Sequence, residues 1–106
     1  MPTLDEMFEM MPSVFDAEKA KGLEATVQFD FTGEGGDQYY VQINDGKINT
    51  GKGTADDPTA TIHMAADDYK KMIAGELNPV TAFMTQKIKV ECDLNTVMKF
   101  QTLFNN

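Results

Sequence analysis

A change of hydrophobic period within residues 75–93, which read GELNPVTAFMTQKIKVECD, constrains the fold more than any other feature of the sequence. Gly75 is the kind of residue that ends a helix, because glycine accepts the left-handed conformation there. Asn78 and Pro79 are typical of a helix start, with Asn as the N-cap and Pro at the first helical position. Three apolar residues then repeat at the spacing of one helix face: Val80, Phe83 and Met84.

After Gln86 the period becomes two, which indicates a strand. Apolar and charged residues alternate here, with Ile88, Val90 and Cys92 set against Lys87, Lys89 and Glu91. Asp93 is placed to cap a final helix that reaches from 94 to about 104. A short helix therefore leads directly into a strand, and we expect their apolar faces, Phe83 and Met84 included, to meet in one core.

Four earlier segments also alternate with period two, and they predict strands over residues 24–32, 38–44, 47–52 and 59–65. Pooled over all five strands, one side is apolar and the other is almost entirely polar. Such a sheet is covered by helices on one face and meets water on the other. The sequence therefore predicts a two-layer α+β domain spanning 1–106.

Helix signals account for the remaining segments. Thr3 and Glu6 form a capping box, and Pro12 ends or kinks the helix that follows. Asp16 predicts a second short helix through residue 21, closed by a glycine. Asp67 predicts the cap of a helix that bears Tyr69, Met72 and Ile73.

Composition and charge exclude several classes of function. The net charge of −8 argues against a nucleic-acid partner and allows at most a transient contact with anionic membranes. No apolar run reaches membrane-spanning length, the acidic start is unlike a signal peptide, and a single cysteine favours a reducing, cytoplasmic location. Eight methionines and seven phenylalanines suit either an ordinary core or an adaptable cavity.

Candidate catalytic and metal-binding residues are few. His63 is the only histidine and is predicted on the wet face of the sheet, whereas Cys92 is predicted on the inner face as a small apolar residue. A nucleophile needs a base nearby, and these two point in opposite directions. The acidic pairs at 56–57 and 67–68 lack the spacing of a calcium loop. We therefore expect no catalytic residue, no metal and no cofactor.

The chain resembles the sterol carrier protein 2 family over nearly its whole length. The segments that carry the resemblance are PSVFDAEKAKGLEATVQF at 12–29, YVQINDGK at 40–47 and GELNPVTAFMTQKIKV at 75–90. The order of predicted elements is similar as well. The resemblance implies a mostly antiparallel five-stranded sheet in the order 3-2-1-4-5, covered on one face by about five short helices. It also implies a hydrophobic tunnel between the layers that binds fatty acids, fatty acyl-CoA, phospholipids or sterols.

The resemblance implies that two sets of residues in this sequence line the tunnel. The first set is Phe15, Phe83, Met84, Met98, Leu103 and Phe104. The second set is Phe8, Met11, Met72, Ile73, Val80 and Gln101. The sequence departs from the family pattern at Gln86 and Cys92, where glycine is usual, and side chains there are expected to narrow the tunnel mouth or shift a turn.

These observations favour a non-enzymatic, stand-alone domain that binds and transfers a long-chain lipid: a fatty acid, an acyl-CoA or a sterol-like molecule. The alternative is an accessory module whose apolar groove binds a partner protein, or which forms a homodimer.

Overall fold

The alternating segments form one five-stranded sheet in a computed structural model that describes residues 3–34 and 36–103. The strands are β1 Glu24–Thr32, β2 Gln38–Asn44, β3 Lys47–Lys52, β4 Ala60–Ala65 and β5 Ile88–Cys92. Their order across the sheet is β3-β2-β1-β4-β5, as predicted. The central β1–β4 pair is parallel, with Phe29 beside Ile62, and the other three pairs are antiparallel.

Five short helical segments accompany the sheet in the described residues. They are α1 Leu4–Met10, a 3-10 helix Met11–Val14, α2 Ala66–Ile73, α3 Pro79–Met84 and α4 Leu94–Gln101. Buried residues of all of them share one hydrophobic core with the inner face of the sheet. Pro12 lies in the 3-10 segment, where α1 has already ended, as its missing N–H requires.

The predicted helix caps are confirmed where a polar side chain precedes the helix. Thr3 and Glu6 form the capping box of α1. The Asn78 side chain accepts hydrogen bonds from the backbone of Val80 at 2.8 Å and Thr81 at 3.3 Å. Asp93 accepts one from the backbone of Thr96 at 3.3 Å, which starts α4.

The end of α2 is also as predicted. Gly75 is left-handed, with φ of 81°, and its N–H donates to the carbonyl of Met72 at 3.1 Å. The N–H of Glu76 donates to the carbonyl of Lys71 at 2.8 Å. This pair of bonds is a Schellman motif, and it turns the chain away from the helix axis.

The helix predicted over residues 16–21 is wrong, because this segment is a series of turns. The Asp16 carboxylate accepts hydrogen bonds from the backbone of Glu18 at 3.1 Å and Lys19 at 3.3 Å, as a cap would. The carbonyl of Ala20, however, accepts from Leu23 and from Gly46 of the β2–β3 turn. The long-range bond to the hairpin replaces the next turn of helix.

The start of α2 is two residues earlier than predicted. Ala65 is the N-cap and makes no side-chain capping bond, since β4 runs into the helix without a loop. Asp67 lies in the first helical turn instead, where a carboxylate is favourable beside the helix N-terminus.

Gln28 is an exception on the wet face of the sheet, since it is only 6% exposed. Its Nε2 donates to the carbonyls of Tyr39 at 3.0 Å and Gly53 at 2.9 Å. Its Oε1 accepts from the N–H of Ala55 at 2.7 Å. One buried amide thus ties the loop after β3 to the centre of the sheet, and it leaves no unpaired polar group.

Cys92 is exposed and left-handed, with φ of 70°, so its prediction as a buried inner-face residue is wrong. Gln86 is also exposed and left-handed, with φ of 64°. The backbone at both positions therefore has the conformation that glycine adopts most readily, although neither residue is glycine.

Candidate functional site

Aromatic rings join the helices to the sheet on its inner face. Phe8 of α1 stacks on Tyr39 with ring centroids 4.6 Å apart and meets Phe29 edge-on at 5.3 Å. Tyr69 of α2 lies 4.9 Å from Phe31 by the same measure. These contacts fill one part of the space between the two layers and leave another part open.

The open part is a cavity of about 490 Å³, within the range of small-molecule sites. Residues from both layers line it, and thirteen of the fourteen are apolar: Met7, Met10, Met11, Val14, Phe29, Ile62, Met64, Tyr69, Met72, Ile73, Pro79, Ile88, Val97 and Phe100. Tyr69 is the exception. No charged side chain lines the cavity, so its walls favour an apolar ligand.

Five of the eight methionines in the chain are in this lining. Unbranched thioether side chains change rotamer at low cost and adapt to ligands of different shape. At the mouth, the lining residues Met10, Val14 and Ile73 are 62%, 40% and 55% exposed. The cavity is therefore accessible from solvent past flexible apolar side chains.

Six of the residues that the resemblance suggested lie in the cavity lining or in the core beside it. Met11, Met72 and Ile73 line the cavity, with Ile73 at its mouth. Phe8 and Leu103 are instead buried in the core, and Phe15 packs half-buried against that core.

Four other suggested residues are exposed and do not line the cavity: Val80, Phe83, Met84 and Met98. The expectation that the apolar stripe of α3 meets the core is wrong. Ala82 is the residue of α3 that is buried, so the stripe lies on the solvent side of that helix. Gln101 is placed only as the last residue of α4, and Phe104 lies outside the described residues.

Most of the other lining residues lie in segments with a clear hydrophobic period, but that period does not show that they border a cavity. Phe29, Ile62, Met64 and Ile88 belong to the apolar side of the alternating strands, and all four line the cavity. The α1 and α4 residues Met7, Met10, Val97 and Phe100 have helical spacing but no motif. Alternation shows which side of a strand is apolar, whereas the position of a void depends on how the helices pack.

His63 lies on the opposite face of the sheet from the cavity. Its Nδ1 is 2.9 Å from Oδ2 of Asp30, and its Nε2 is 3.1 Å from Oε2 of Glu91. The second contact falls outside hydrogen-bond geometry, and it is an ion pair when the imidazole is protonated. Glu91, then Asp30, raise the pKa of His63 against the opposing effect of burial.

This arrangement is not one that could hold a metal ion. The two carboxylates flank opposite sides of the imidazole ring, and the described residues contain no group of three His, Cys, Asp or Glu that could hold a metal ion. A helix long and apolar enough to cross a membrane is likewise not found in the described ranges.

Comparison with known proteins decides the family. A sequence profile described as the SCP-2 sterol transfer family matches residues 6–105. The chain belongs to this family. Membership implies lipid binding or transfer in general, in keeping with an apolar cavity between the helices and the sheet.

Among the relatives of this SCP-2 chain is hydroxysteroid dehydrogenase-like protein 2 from Bos taurus, 28% identical over 103 residues. The match includes 96% of this chain and 25% of that protein. The chain thus spans about a quarter of the length of the curated relatives it matches.

Two solved structures show the same SCP-2 fold. Sterol carrier protein 2 from Yarrowia lipolytica, in its apo form, has a TM-score of 0.71 at 22% identity, covering 94% of this chain and 91% of that one. Palmitated SCP2L2 from Aedes aegypti has a TM-score of 0.77 at 16% identity, covering 99% and 96%.

Proposed function

We propose that this SCP-2 domain is a non-enzymatic lipid carrier that binds the apolar part of its ligand in the cavity between the helices and the sheet. The observation that carries this proposal is the cavity itself, with a volume of about 490 Å³ and apolar residues at all lining positions but one. A folded core of this size normally closes over such a void, since unfilled apolar space costs packing energy.

Ligand burial supplies the affinity. Each methylene removed from water is worth about 0.8 kcal/mol, so an acyl chain needs few polar contacts to bind. Fatty acids, fatty acyl-CoA and sterol-like lipids all fit this requirement, and methionine walls accommodate more than one of them. The family description as sterol transfer proteins and the palmitated Aedes aegypti structure support the same class of ligand.

The first experiment is native purification followed by solvent extraction and mass spectrometry, then titration with a fluorescent fatty acid. Met72→Trp places a large ring in the cavity, whereas Met84→Trp makes the same change on an exposed residue outside it. We expect Met72→Trp to weaken binding at least tenfold and Met84→Trp to leave it within twofold.

No co-purified lipid together with no saturable binding would overturn the proposal. Equal affinity in the two tryptophan variants would move the site elsewhere on the molecule. Turnover of acyl-CoA or esters that disappears in His63→Ala would contradict a non-enzymatic role.

The single cysteine is consistent with the cytoplasmic location that we propose for the carrier.

A second candidate function, self-association or docking on a partner protein, is favoured by one observation. The α3 residues Val80 and Met84 are 66% and 76% exposed, and Phe83 beside them is 44% exposed. Gel filtration with light scattering distinguishes this candidate from a monomeric carrier. A dimer that Met84→Ser converts to monomer without loss of lipid binding would support it.

A further inference from the structure

Tyr69 is the only residue lining the cavity whose side chain carries a hydrogen-bonding group. The residue is 7% exposed, and no hydrogen-bond partner of its hydroxyl occurs among residues 3–34 and 36–103. The hydroxyl oxygen is not among the fully buried side-chain atoms that lack a partner, so it stays in contact with the open space of the cavity that Tyr69 lines. A hydroxyl with no protein partner in an otherwise apolar lining is the group that can hydrogen-bond to a polar atom of a ligand.

The contrast with Tyr39 shows that the fold can satisfy a buried tyrosine when it needs to. Tyr39 is equally buried in the same core, and its hydroxyl donates to the carboxylate of Asp5. Tyr69 has no such acceptor, although its ring is held firmly. Its centroid lies 4.9 Å from that of Phe31 and 5.9 Å from that of Phe8. The ring is fixed and the hydroxyl is left available.

The chemistry of the cavity limits what that partner can be. Burial raises the pKa of Tyr69 to about 12, so the hydroxyl is neutral at physiological pH and able to donate. No lysine lines the cavity. An ionised carboxylate placed beside Tyr69 would lose its hydration with no cation to compensate, whereas a neutral oxygen would lose far less.

We propose that Tyr69 is the polar anchor of the cavity, and that the preferred ligand is a neutral lipid with one hydroxyl or carbonyl oxygen at its inner end. This inference rests on the proposed carrier function and specifies its ligand class. A fatty acid binds in the opposite direction, with its chain inside and its carboxylate at the mouth, and does not use Tyr69.

The test compares three ligands of equal chain length in the full chain: decane, 1-decanol and decanoate. Each displaces a bound fluorescent fatty acid, and the dissociation constants are measured in the wild type and in Tyr69→Phe, which removes one oxygen atom. We expect Tyr69→Phe to weaken 1-decanol about three- to tenfold, the worth of one hydrogen bond, and to leave decane and decanoate within twofold. Tyr40→Phe, on the opposite face of the sheet, is the matched control and should change none of them.

A second readout needs no variant to fold. In wild-type protein with its tyrosines labelled at ¹³Cζ, 1-decanol should shift one resonance that decane leaves in place. Equal effects of Tyr69→Phe on all three ligands, or no effect on 1-decanol, would overturn the anchor while the carrier function stood. Failure of the wild type to bind any of the three would overturn the carrier function as well.

Discussion

At the scale of single residues, two positions keep a glycine-like backbone without being glycine. Gln86 and Cys92 have φ of 64° and 70°, in the left-handed region that costs other residues about 1–2 kcal/mol. Both side chains are exposed, and neither lines the cavity. The turns on either side of β5 are therefore retained at a cost in stability, and the mouth of the cavity is not narrowed by these side chains.

Replacing either residue with glycine should stabilise the protein. We expect Gln86→Gly and Cys92→Gly each to raise the free energy of unfolding by about 1 kcal/mol, because glycine relieves the left-handed strain at some cost in chain entropy. Urea denaturation measures the change. Lys89→Gly, at an exposed extended position of β5, is the control and should destabilise. A loss of stability in both glycine variants at 86 and 92 would contradict the argument.

His63 should make the stability of the fold depend on pH. Its pKa is raised above the ordinary 6.5 in the folded state, mainly by Glu91 and further by Asp30. A raised pKa contributes stability that is complete below about pH 6.5 and is lost as the pH rises through the higher folded value. We expect the stability advantage of wild type over His63→Gln to be greatest near pH 6 and to shrink as the pH rises above about 6.5 and through the raised folded-state pKa.

Denaturation midpoints of both proteins across that range provide the measurement. High salt should reduce the difference, since about a third of the His63 side chain is exposed and the charges are partly screened. If the stability advantage of wild type over His63→Gln grew with pH, the protonated imidazole would be destabilised by its surroundings rather than stabilised.

At the scale of elements, α3 shows that residue size does not decide which helix face is buried. Its large apolar residues lie outside, and Ala82 is fully buried. The helix has only six residues, and its direction follows from the Asn78 cap and the left-handed Gln86 at its two ends. A small residue on the inner side allows the helix backbone to approach β5 closely.

Substitutions in α3 should therefore have effects opposite to those that hydrophobicity suggests. Ala82→Leu should destabilise by about 1–3 kcal/mol through overpacking. Met84→Ser, at a side chain 76% exposed, should stay within about 0.5 kcal/mol of wild type. Thermal unfolding of the two variants tests this, and a larger loss in Met84→Ser would place the methionine in a contact that buries it.

The sequence predicted the strands well because each one is wet on one face, so alternation was unambiguous from Val27 to Ile88. Helix starts were predicted where a polar cap was present, as at Asn78 and Asp93. The turn segment after Asp16 was not predicted, since the bond from Gly46 to Ala20 joins residues far apart in the chain. The cavity lining was predicted only in part for the same reason, because a void belongs to the packing of several elements.

At the scale of the whole molecule, an apolar cavity in a 106-residue chain should make stability respond to ligand. A ligand that binds only the folded state adds about 2.7 kcal/mol at one hundred times its Kd. For a domain of this size each kcal/mol raises Tm by roughly 4–8 °C. We expect a bound fatty acid or fatty alcohol to raise Tm by about 10 °C or more, and Met72→Trp to abolish most of that rise. Calorimetry with and without ligand checks this, and an unchanged wild-type Tm at saturation would contradict it.

The parallel pairing of β1 with β4 has a consequence for the rate of folding. Short connections join β1, β2 and β3, so these strands can pair with each other early. β4 pairs with β1 only after the segment that contains β2 and β3 has closed into a loop. Thr26 and Thr59, which are hydrogen-bonded at the start of this pair, are 33 residues apart in sequence. Closing so long a loop costs entropy before any contact compensates for it. We therefore expect the pairing of β1 with β4 to limit the rate at which the chain folds.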